Sequence, residues 1–350
     1  MFLDGTWGQL PTWLSGEGPA ADVVLCTRVR LARNLASLPF PHLLDEEQLN
    51  GIRVDATERI LRLPDFSGGW GLDLAVMDPI QRQALLEAHL VSRDLLRDPE
   101  GRALVVSADR RHAVMINEED HFRLQSYRDG FAPLETCRDA LGCDSQFEEE
   151  LDPAFSEDLG YLTACPTNVG TGLRLSVLIH LPGLVYGGEI EKILNSLRQL
   201  QFAVRGFEGE GSAVRGALFQ ISNLASLGRT EEEMASDFAR HVSKVIHYER
   251  MALERLYERD PVAVEDLAHR GLAMVQHARV MTGQEALDRL SQVRMGVVLD
   301  ILPRIAMEQL NRALIHVQSA HLQLRAERTV EPAERGRMRA DLLRNLFRHI

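Results

Sequence analysis

The spacing of apolar residues changes character once along this chain, and that change limits the folds open to it. In the first two thirds, short apolar runs alternate with turn residues and helical stretches, which is typical of an α+β unit. From Thr230 onward the spacing is helical almost to the C-terminus, and Thr230 with Glu233 matches a capping box at a helix start. We therefore predict an N-terminal arm over residues 1–21, an α+β unit over 22–229 and an all-helical unit over 230–350.

The same patterns locate the individual elements, because strands repeat every second residue and helices every third or fourth. The predicted strands cover 23–31, Ala103–Val106, 113–116, the start of 160–174 and 218–223, with further apolar segments at 175–181 and from Phe202. The predicted helices of the α+β unit cover 45–63, 79–96, Pro133–Leu151 and 188–200. Breaks in the helical unit are predicted near Asp260-Pro261, Thr282-Gly283, Leu302-Pro303 and Glu331-Pro332.

Composition limits the class of protein and its surroundings. A net charge of −12 over 350 residues, with a pI near 5.5, argues against direct nucleic-acid binding. The sequence shows no signal-peptide pattern and no apolar run of about 18 residues, so we expect a soluble, cytoplasmic protein. The cysteines match neither a disulfide framework nor a zinc spacing, and we expect four reduced thiols at Cys26, Cys137, Cys143 and Cys165.

Arginine supplies almost all of the positive charge. Only Lys192 and Lys244 are lysines, so 37 of the 39 basic residues are arginine. The sequence contains neither the glycine-rich loop ending in Lys-Ser/Thr nor the strand lysine that many ATP-binding enzymes use. If this protein handles ATP, arginines must hold the phosphates, although a genomic preference for arginine codons explains most of the bias.

Three consecutive acids stand between apolar runs in the stretch Asn117-Glu118-Glu119-Asp120-His121-Phe122-Arg123. If one strand runs through the stretch, alternate side chains share a face: Asn117, Glu119, His121, Arg123 and Gln125. Clustered carboxylates are unfavourable unless a cation lies opposite them. A solvated acidic turn is the other interpretation, and the stretch alone favours it.

Two arginines in the first strand suit a polyanion. Arg28 and Arg30 are two residues apart and so share one face, with side chains roughly 7 Å apart. That face is either solvated or presents two guanidinium forks to a polyphosphate.

Two glycine-containing segments also carry reactive or charged residues. In 160–174, Cys165 precedes a turn that ends at Arg174, and its glycines allow backbone to approach a ligand closely. A lone cysteine is more commonly a small buried residue. Arg205 stands at the base of a glycine-rich loop that contains Glu210, which is either a closing loop or a flexible turn.

Four motifs in this order resemble the guanidino (phosphagen) kinases, most closely the bacterial protein-arginine kinase branch. They are TRVRLARN from Thr27, NEEDHFR from Asn117, CPTNVGTGLR from Cys165, and Arg205-Gly206 followed by Gly209-Glu210-Gly211-Ser212. The third motif is highly specific, and the four span about 200 residues. Animal-type members carry a helical domain before the first motif, whereas helices follow the catalytic part here, as in the protein-arginine kinase branch.

The resemblance implies an antiparallel sheet flanked by helices, the guanidino kinase or glutamine synthetase-like catalytic fold, with an all-helical C-terminal domain. It implies ATP and Mg²⁺ as cofactors, with His121 near the nucleotide. The arginines implied to contact the phosphates of ATP are Arg28, Arg30, Arg123, Arg174 and Arg205. Glu119 would orient and deprotonate the acceptor guanidinium, Glu210 would grip it from the loop, and Cys165 would lie beside it.

This implied chemistry agrees with the residue types. Phosphoryl transfer needs in-line alignment and charge neutralisation, which several arginine forks provide. An arginine acceptor has a pKa above about 12 and must lose a proton to attack, which two carboxylates promote.

The implied function is ATP-dependent phosphorylation of arginine side chains in proteins, within a bacterial stress response. The alternatives are a kinase of free arginine or another small guanidino compound, and an inactive regulatory homologue. Expected partners are protein substrates, an activator protein and a second copy of the chain.

The sequence departs from the family pattern near the site. Cys26 stands where serine is usual, and in the glycine-rich loop Ala213 replaces an acid and Glu208 an aromatic residue. Because Glu210 is retained, we expect activity with altered acceptor preference.

A further departure lies near the C-terminus, where the protein-arginine kinase branch often carries RDxxRA, linked to allosteric phosphoarginine binding. Here Arg335 and Arg339 are kept as candidate phosphoarginine-binding residues, but Gly336 replaces the acid. This replacement puts the regulatory site in question.

Overall fold

The computed structural model describes residues 14–207, 215–224 and 226–350. Glu208, Glu210 and Ala213 of the glycine-rich loop therefore lie outside the described residues. In chain order the strands are β1 (Val24–Arg33), β2 (Trp70–Asp73), β3 (Ala103–Val106), β4 (His112–Ile116), β5 (Phe122–Asp129), β6 (Phe155–Ser156), β7 (Gly160–Tyr161), β8 (Leu173–His180), β9 (Phe202–Gly206) and β10 (Leu218–Asn223). The helices are α1 (Glu46–Arg62), α2 (Pro79–Glu87), α3 (Arg93–Arg97), α4 (Pro133–Leu151), α5 (Pro182–Tyr186), α6 (Ile190–Gln199), α7 (Glu231–Arg259), α8 (Pro261–His277), α9 (Gly283–Val298), α10 (Met307–His316), α11 (Ser319–Ala326) and α12 (Pro332–Leu346).

Eight of the described strands form one antiparallel sheet in the order β2-β3-β4-β5-β1-β8-β10-β9, and β6 pairs with β7 separately. The predicted α+β architecture followed by helices is confirmed, and each predicted break in the helical unit falls between helices or at a helix start. None of the described helices is long and apolar enough to cross a bilayer.

Strand β1 lies in the middle of the sheet and separates its two faces. Val29 and Leu31 are fully buried on one face, while Arg28 and Arg30 point to the other, as strand alternation requires. In the register, Arg30 lies opposite Gln125 on β5 and opposite Arg174 on β8. The sheet therefore gathers polar and charged side chains from three neighbouring strands at its centre.

Helices pack on both faces of the sheet. The face with Val29 and Leu31 forms one core with apolar residues of α1, α4, α6 and α7. On the other face, apolar residues of β3, β4 and β5 pack with α2, α3 and the helices from α8 to α12. The charged centre of that second face is left open, and it forms the site described below.

Local sequence signals explain where several helices begin. Asp45 caps α1 in a capping box with Gln48, and Thr230 caps α7 in a capping box with Glu233, as predicted. The single helix predicted over 79–96 is wrong, because α2 ends at Glu87 and a separate helix, α3, follows. His89 adopts φ +59° between them, a left-handed conformation that ends a helix and that apolar spacing does not signal.

The acidic stretch is a turn between β4 and β5, which confirms the turn interpretation over the alternative of one continuous strand. β4 ends at Ile116, and the Asn117 amide donates to the His121 carbonyl at 2.8 Å, which closes the turn. Asn117 adopts φ +58°, a conformation that asparagine tolerates better than most residues. The acids consequently sit at the end of a hairpin, at one edge of the open site.

Candidate active site

A cavity of about 670 Å³ lies over the centre of the open sheet face. Five arginines from four strands line it: Arg28 and Arg30 on β1, Arg123 on β5, Arg174 on β8 and Arg205 on β9. Glu119 and Cys165 belong to the same lining. The structure thus brings together seven residues that the sequence motifs placed far apart in the chain.

Arg30 is the most electrostatically unfavourable of these arginines. Burial and the nearby guanidinium groups of Arg28, Arg123 and Arg174 hold the pKa of Arg30 well below its usual value. Among the described residues, buried Nε and Nη2 of Arg30 have no hydrogen-bond partner. Clustered cations of this kind are stabilised when a polyanion binds between them, because each guanidinium then gains charge-assisted hydrogen bonds.

The arginines beside Arg30 are held loosely by neutral groups. Arg28 donates from Nε to the Ser176 hydroxyl and from Nη1 to the His89 carbonyl, each at 3.4 Å. Arg174 donates from Nη2 to the Ser222 hydroxyl at 3.2 Å. These contacts help to fix the direction of the two guanidinium groups.

Arg123 differs, because it is paired with the acidic turn. Its Nη1 lies 2.6 Å from a carboxylate oxygen of Glu118, and its Nη2 lies 3.1 Å from one of Glu119. Glu118 is also bonded by the Ser92 hydroxyl and is almost fully buried. Arg123 therefore joins the cationic part of the cavity to its acidic edge.

Glu119 presents an accessible carboxylate at the acidic edge of the cavity. Its side chain is 45% exposed and open to the cavity. Partial burial raises the pKa of Glu119, the ion pair with Arg123 opposes the rise, and the Cys165 side chain bonds the carboxylate. The Cys165 sulfur also lies 3.1 Å from the Thr167 hydroxyl oxygen. A carboxylate and a thiol thus share one edge of the cavity.

The acidic turn and the cysteine loop are fastened to each other by Asp120. Its Oδ1 accepts from Asn34 Nδ2 and from the Ala164 amide, both at 2.7 Å. Gly172, at the end of the same loop, has φ +67°, and a Cβ there would lie 2.7 Å from the Ala32 carbonyl oxygen. This close approach to β1 explains why the loop requires glycine at that position.

His121, predicted to lie near the nucleotide, does not line the cavity. It is fully buried, and its Nδ1 accepts from the Leu35 amide at 3.3 Å. Its role in the fold is to close the acidic turn, and its position gives no support for contact with a ligand. Glu210, the other predicted loop carboxylate, lies outside the described residues.

His89 belongs to none of the sequence motifs, yet it lines the cavity. Burial and then Arg28 lower the pKa of His89 to about 3, so its ring stays neutral. The ring packs edge-on against Phe207 with centroids 4.9 Å apart. No local signal identifies His89, because it reaches the cavity only through the break between α2 and α3.

The candidate phosphoarginine-binding residues lie apart from the cavity, in the helical unit. Arg339 is buried and donates from Nε to the Val317 carbonyl at 2.7 Å and from Nη1 to the Met281 carbonyl at 2.9 Å. Arg335 donates from Nη1 to the Val330 carbonyl at 3.1 Å. A Cβ on Gly336 would lie 3.0 Å from a methyl group of Val280, so the missing acid coincides with close packing.

Two family models match the chain in succession. Residues 59–252 match the ATP:guanido phosphotransferase, C-terminal catalytic domain, and residues 261–350 match the Protein-arginine kinase McsB C-terminal domain. A protein-arginine kinase of Symbiobacterium thermophilum is 41% identical over 97% of this chain and 98% of its own length. A protein-arginine kinase of Pelotomaculum thermopropionicum is 37% identical over 97% of this chain and 96% of its own.

Solved structures of guanidino kinases share the fold. The duplicated taurocyamine kinase of Schistosoma mansoni, with bound transition-state analogue components, superposes with a TM-score of 0.60 and is 26% identical. That match covers 71% of this chain but only 36% of the duplicated one. Lombricine kinase superposes with a TM-score of 0.58, is 27% identical and is matched over 72% of this chain and 71% of its own. The chain therefore belongs to the ATP:guanido phosphotransferase family and, within it, to the protein-arginine kinases.

Proposed function

We propose that this protein transfers the γ-phosphoryl group of ATP to a guanidinium nitrogen of arginine side chains in proteins, giving phosphoarginine. The observation that carries the proposal is the convergence of five arginines from four strands on one cavity that also presents a carboxylate and a thiol. The cavity supplies the two requirements of the reaction, a cationic cradle for the phosphates and a base for the acceptor.

Four arginines are proposed to hold the phosphates of ATP: Arg28, Arg30, Arg174 and Arg205. The repulsion of Arg30 by Arg28 and Arg174 is relieved when the polyphosphate enters, because its negative charge then lies between these guanidinium groups. Arg123 is proposed to contact the phosphoryl group in transfer, while its ion pair holds Glu119 at the acceptor edge. His89 replaces His121 in the proposal as the histidine at the nucleotide, since only His89 lines the cavity.

At the acceptor edge, Glu119 is proposed to orient the substrate guanidinium and to take its proton as the nitrogen attacks phosphorus. Its raised pKa brings it closer to the operating pH, which improves a carboxylate as a general base. Cys165, bonded to that carboxylate, is proposed to lie beside the same guanidinium. Glu210 is proposed to contribute a second carboxylate from the glycine-rich loop.

Mg²⁺ is proposed to accompany ATP and to neutralise part of its charge. Glu118 and Glu119 line the cavity, and both are paired with Arg123. This donor set fits Mg²⁺, which in proteins is bound by few carboxylates together with phosphate oxygens and water. Among the described residues, the group of three side chains close enough to share an ion is Asp65, His112 and Cys143, and none of these lines the cavity.

A comparison of two acceptors tests whether the substrate is an arginine side chain in a protein or free arginine. The protein is incubated with Mg·ATP and either an unfolded acceptor protein or free arginine, and acid-labile phosphate and phosphoarginine are measured at neutral pH. We expect phosphoarginine on the protein acceptor, with none formed by Glu119→Gln. Phosphorylation of free arginine alone would establish the small-guanidino kinase, and no product from either acceptor would indicate an inactive homologue.

Protein substrates are the proposed partners, and an activator protein and a homodimer are further proposals. Light scattering after size-exclusion chromatography tests the homodimer, and stimulation of the purified enzyme by cell extract tests the activator. The cytoplasm is proposed as the compartment, because ATP is available there and the four described cysteines are all unpaired.

Arg335 and Arg339 are proposed to form a phosphoarginine-binding site in the helical unit. Their guanidinium groups are directed by backbone carbonyl contacts, and two nearby cations suit a phosphorylated guanidinium. Calorimetric titration with a phosphoarginine peptide tests this. Equal affinity in wild type and Arg335→Ala would contradict it.

A further inference from the structure

One wall of the cavity is formed by residues 86–92, which run from the end of α2 toward α3 and are called the wall segment. This segment is bonded to the arginine-bearing sheet through its carbonyl groups. The His89 carbonyl accepts from Arg28 at 3.4 Å, and the Leu90 carbonyl accepts from Gln125 Nε2 at 2.9 Å. A shift of the wall segment would therefore redirect Arg28 and change the shape of the cavity.

The wall segment packs in one apolar core with the helical unit, and the side chain of Glu87 adds hydrogen bonds to that unit. Its carboxylate accepts from the Ala320 amide at 2.9 Å, from the His321 amide at 3.1 Å and from His321 Nδ1 at 2.9 Å. The side chains of Glu87 and His321 are only 9% and 7% exposed. Three donors at the start of α11 thus converge on one nearly buried carboxylate.

The position of Glu87 makes sense only with α11 in place. A carboxylate in the last turn of a helix is disfavoured by the helix dipole, and Glu87 is the last residue of α2. At the N-terminus of α11 the same charge is favoured, because it satisfies amide groups that have no partner within that helix. The contact with α11 therefore stabilises Glu87, and with it the wall segment, in this position.

The start of α11 is in turn held by the interior of the helical unit. Val317, two residues before α11, accepts from Arg339 Nε at 2.7 Å, and Arg339 also bonds the Met281 carbonyl. Arg339 thus holds the chain just before α11, and the first turn of α11 holds Glu87 of the wall segment.

We propose that Glu87 is a positioning residue that couples the helical unit to ATP binding, by holding the wall segment so that Arg28 and His89 face the nucleotide. The inference rests on the proposed function in one respect, that ATP binds in this cavity. Glu87 does not touch the substrate in this proposal and acts only through the wall segment.

The test is Glu87→Gln, which keeps the side-chain shape but turns an amide donor toward the donors of α11. Steady-state kinetics with a protein acceptor are measured at a temperature where circular dichroism shows the variant fully folded. We expect KM for ATP to rise roughly 5- to 100-fold, more than kcat falls. The matched control is Gln83→Ala, an exposed change on the same helix, which leaves both constants unchanged. An unchanged KM for ATP in folded Glu87→Gln would overturn the inference.

A partner variant keeps the test decisive if Glu87→Gln does not fold. His321→Phe removes one of the three donors and leaves the wall segment untouched, so KM for ATP must rise in the same direction by a smaller factor. A purely structural contact between α2 and α11 would lower the melting temperature of His321→Phe and leave its KM for ATP unchanged, which would also overturn the inference.

Coupling is reciprocal, so ATP must also stabilise α11. We expect a non-hydrolysable ATP analogue to slow hydrogen exchange of the amides of residues 319–326 in the wild type and to lose this effect in Glu87→Gln. Equal protection in both would count against coupling. This measurement needs only ATP binding, so it still tests Glu87 if the wild type binds ATP but makes no phosphoarginine, a result that would refute the proposed function alone.

Discussion

Among single residues, Arg123 of the cationic cavity is paired with two carboxylates, Glu118 and Glu119. Glu119 is the described carboxylate that is both exposed to the cavity and bonded by a thiol. Replacement by glutamine preserves the shape and removes the charge that accepts the proton. We expect turnover to fall by about 10²–10⁴ while ATP affinity is nearly kept. Turnover close to that of the wild type would rule out Glu119 as the base.

The pH dependence of turnover gives a second measurement on the same residue. A base must be ionised to accept a proton, and the pKa of Glu119 is raised, chiefly by burial. Activity should therefore rise with pH through that raised pKa. This rise, the acidic limb of the pH profile, occurs at a higher pH than an ordinary glutamate would give. If Glu119 causes the acidic limb, the residual activity of Glu119→Gln does not show that limb. An acidic limb that persists in Glu119→Gln would show that another group causes it.

Arg30 illustrates how function opposes stability at this site. Its charge is buried among other cations, and two of its nitrogens have no partner among the described residues. Arg30→Met removes this cost, so we expect the free energy of unfolding to rise by roughly 1–2 kcal/mol. ATP affinity should fall about 10- to 100-fold, because charge-assisted hydrogen bonds are lost.

Denaturant unfolding and calorimetric ATP titration measure the two effects of Arg30→Met. The control is Arg62→Met, whose side chain is 75% exposed on α1 and for which neither quantity should change. A loss of stability in Arg30→Met would show that Arg30 supports the fold instead of straining it.

At the scale of elements, sequence patterns located strands and helix starts well wherever one local signal dominates. The capping box at Thr230 and the alternation in β1 depend only on neighbouring residues, and the structure confirms both predictions. The acidic turn and the break at His89 depend on contacts distant in sequence. His121 is bonded by Asn34 and His89 packs on Phe207, so local spacing carried no information about either.

Helix α7 shows the same limit for domain boundaries. The sequence places a boundary at 229–230, where strands give way to helices. However, Phe238 and Val242 of α7 are buried in the same core as Val29 of the central strand. We propose that α7 belongs to the catalytic unit and that the helical unit begins at Pro261.

Phe238→Ala tests this boundary. Truncating a fully buried phenylalanine typically costs about 3–5 kcal/mol, and here the loss falls on the sheet core. We expect the denaturation midpoint of the catalytic unit to drop, with ATP binding lost at the same denaturant concentration as the fold. Tyr248→Ala, a 47% exposed position on the same helix, is the control. A destabilisation of Phe238→Ala no larger than that of Tyr248→Ala would place α7 outside this core.

At the scale of the whole molecule, the motifs predicted which residues would meet but not how the helical unit would reach them. Arg28, Glu119 and Cys165 carry family patterns, and the structure gathers them in one cavity. The contact of Glu87 with α11 joins residues 233 positions apart and has no motif. It follows from the packing of two units, which a single sequence does not encode in any local pattern.

The arginine side chains of the molecule itself are acceptors of the kind proposed. A protein-arginine kinase that accepts unconstrained polypeptide should modify its own exposed arginines and spare buried ones. Arg62, Arg138 and Arg270 have side chains that are 75%, 74% and 76% exposed. Arg33 is 1% exposed and paired with Asp144. Transfer to Arg33 would require that buried pair to break, at a cost of about 3–5 kcal/mol.

Mass spectrometry at neutral pH, after incubation with Mg·ATP, measures this distribution, with Glu119→Gln as the inactive control. We expect phosphoarginine at exposed positions such as Arg270 and none at Arg33. Each modified guanidinium changes from a cation to a net anion and loses its bidentate pairing, so modification on the helical unit alters its surface charge. Phosphoarginine at Arg33 as abundant as at Arg270 would contradict selection by exposure. If the protein carries no phosphoarginine at all and phosphorylates free arginine efficiently, the small-guanidino kinase would be favoured.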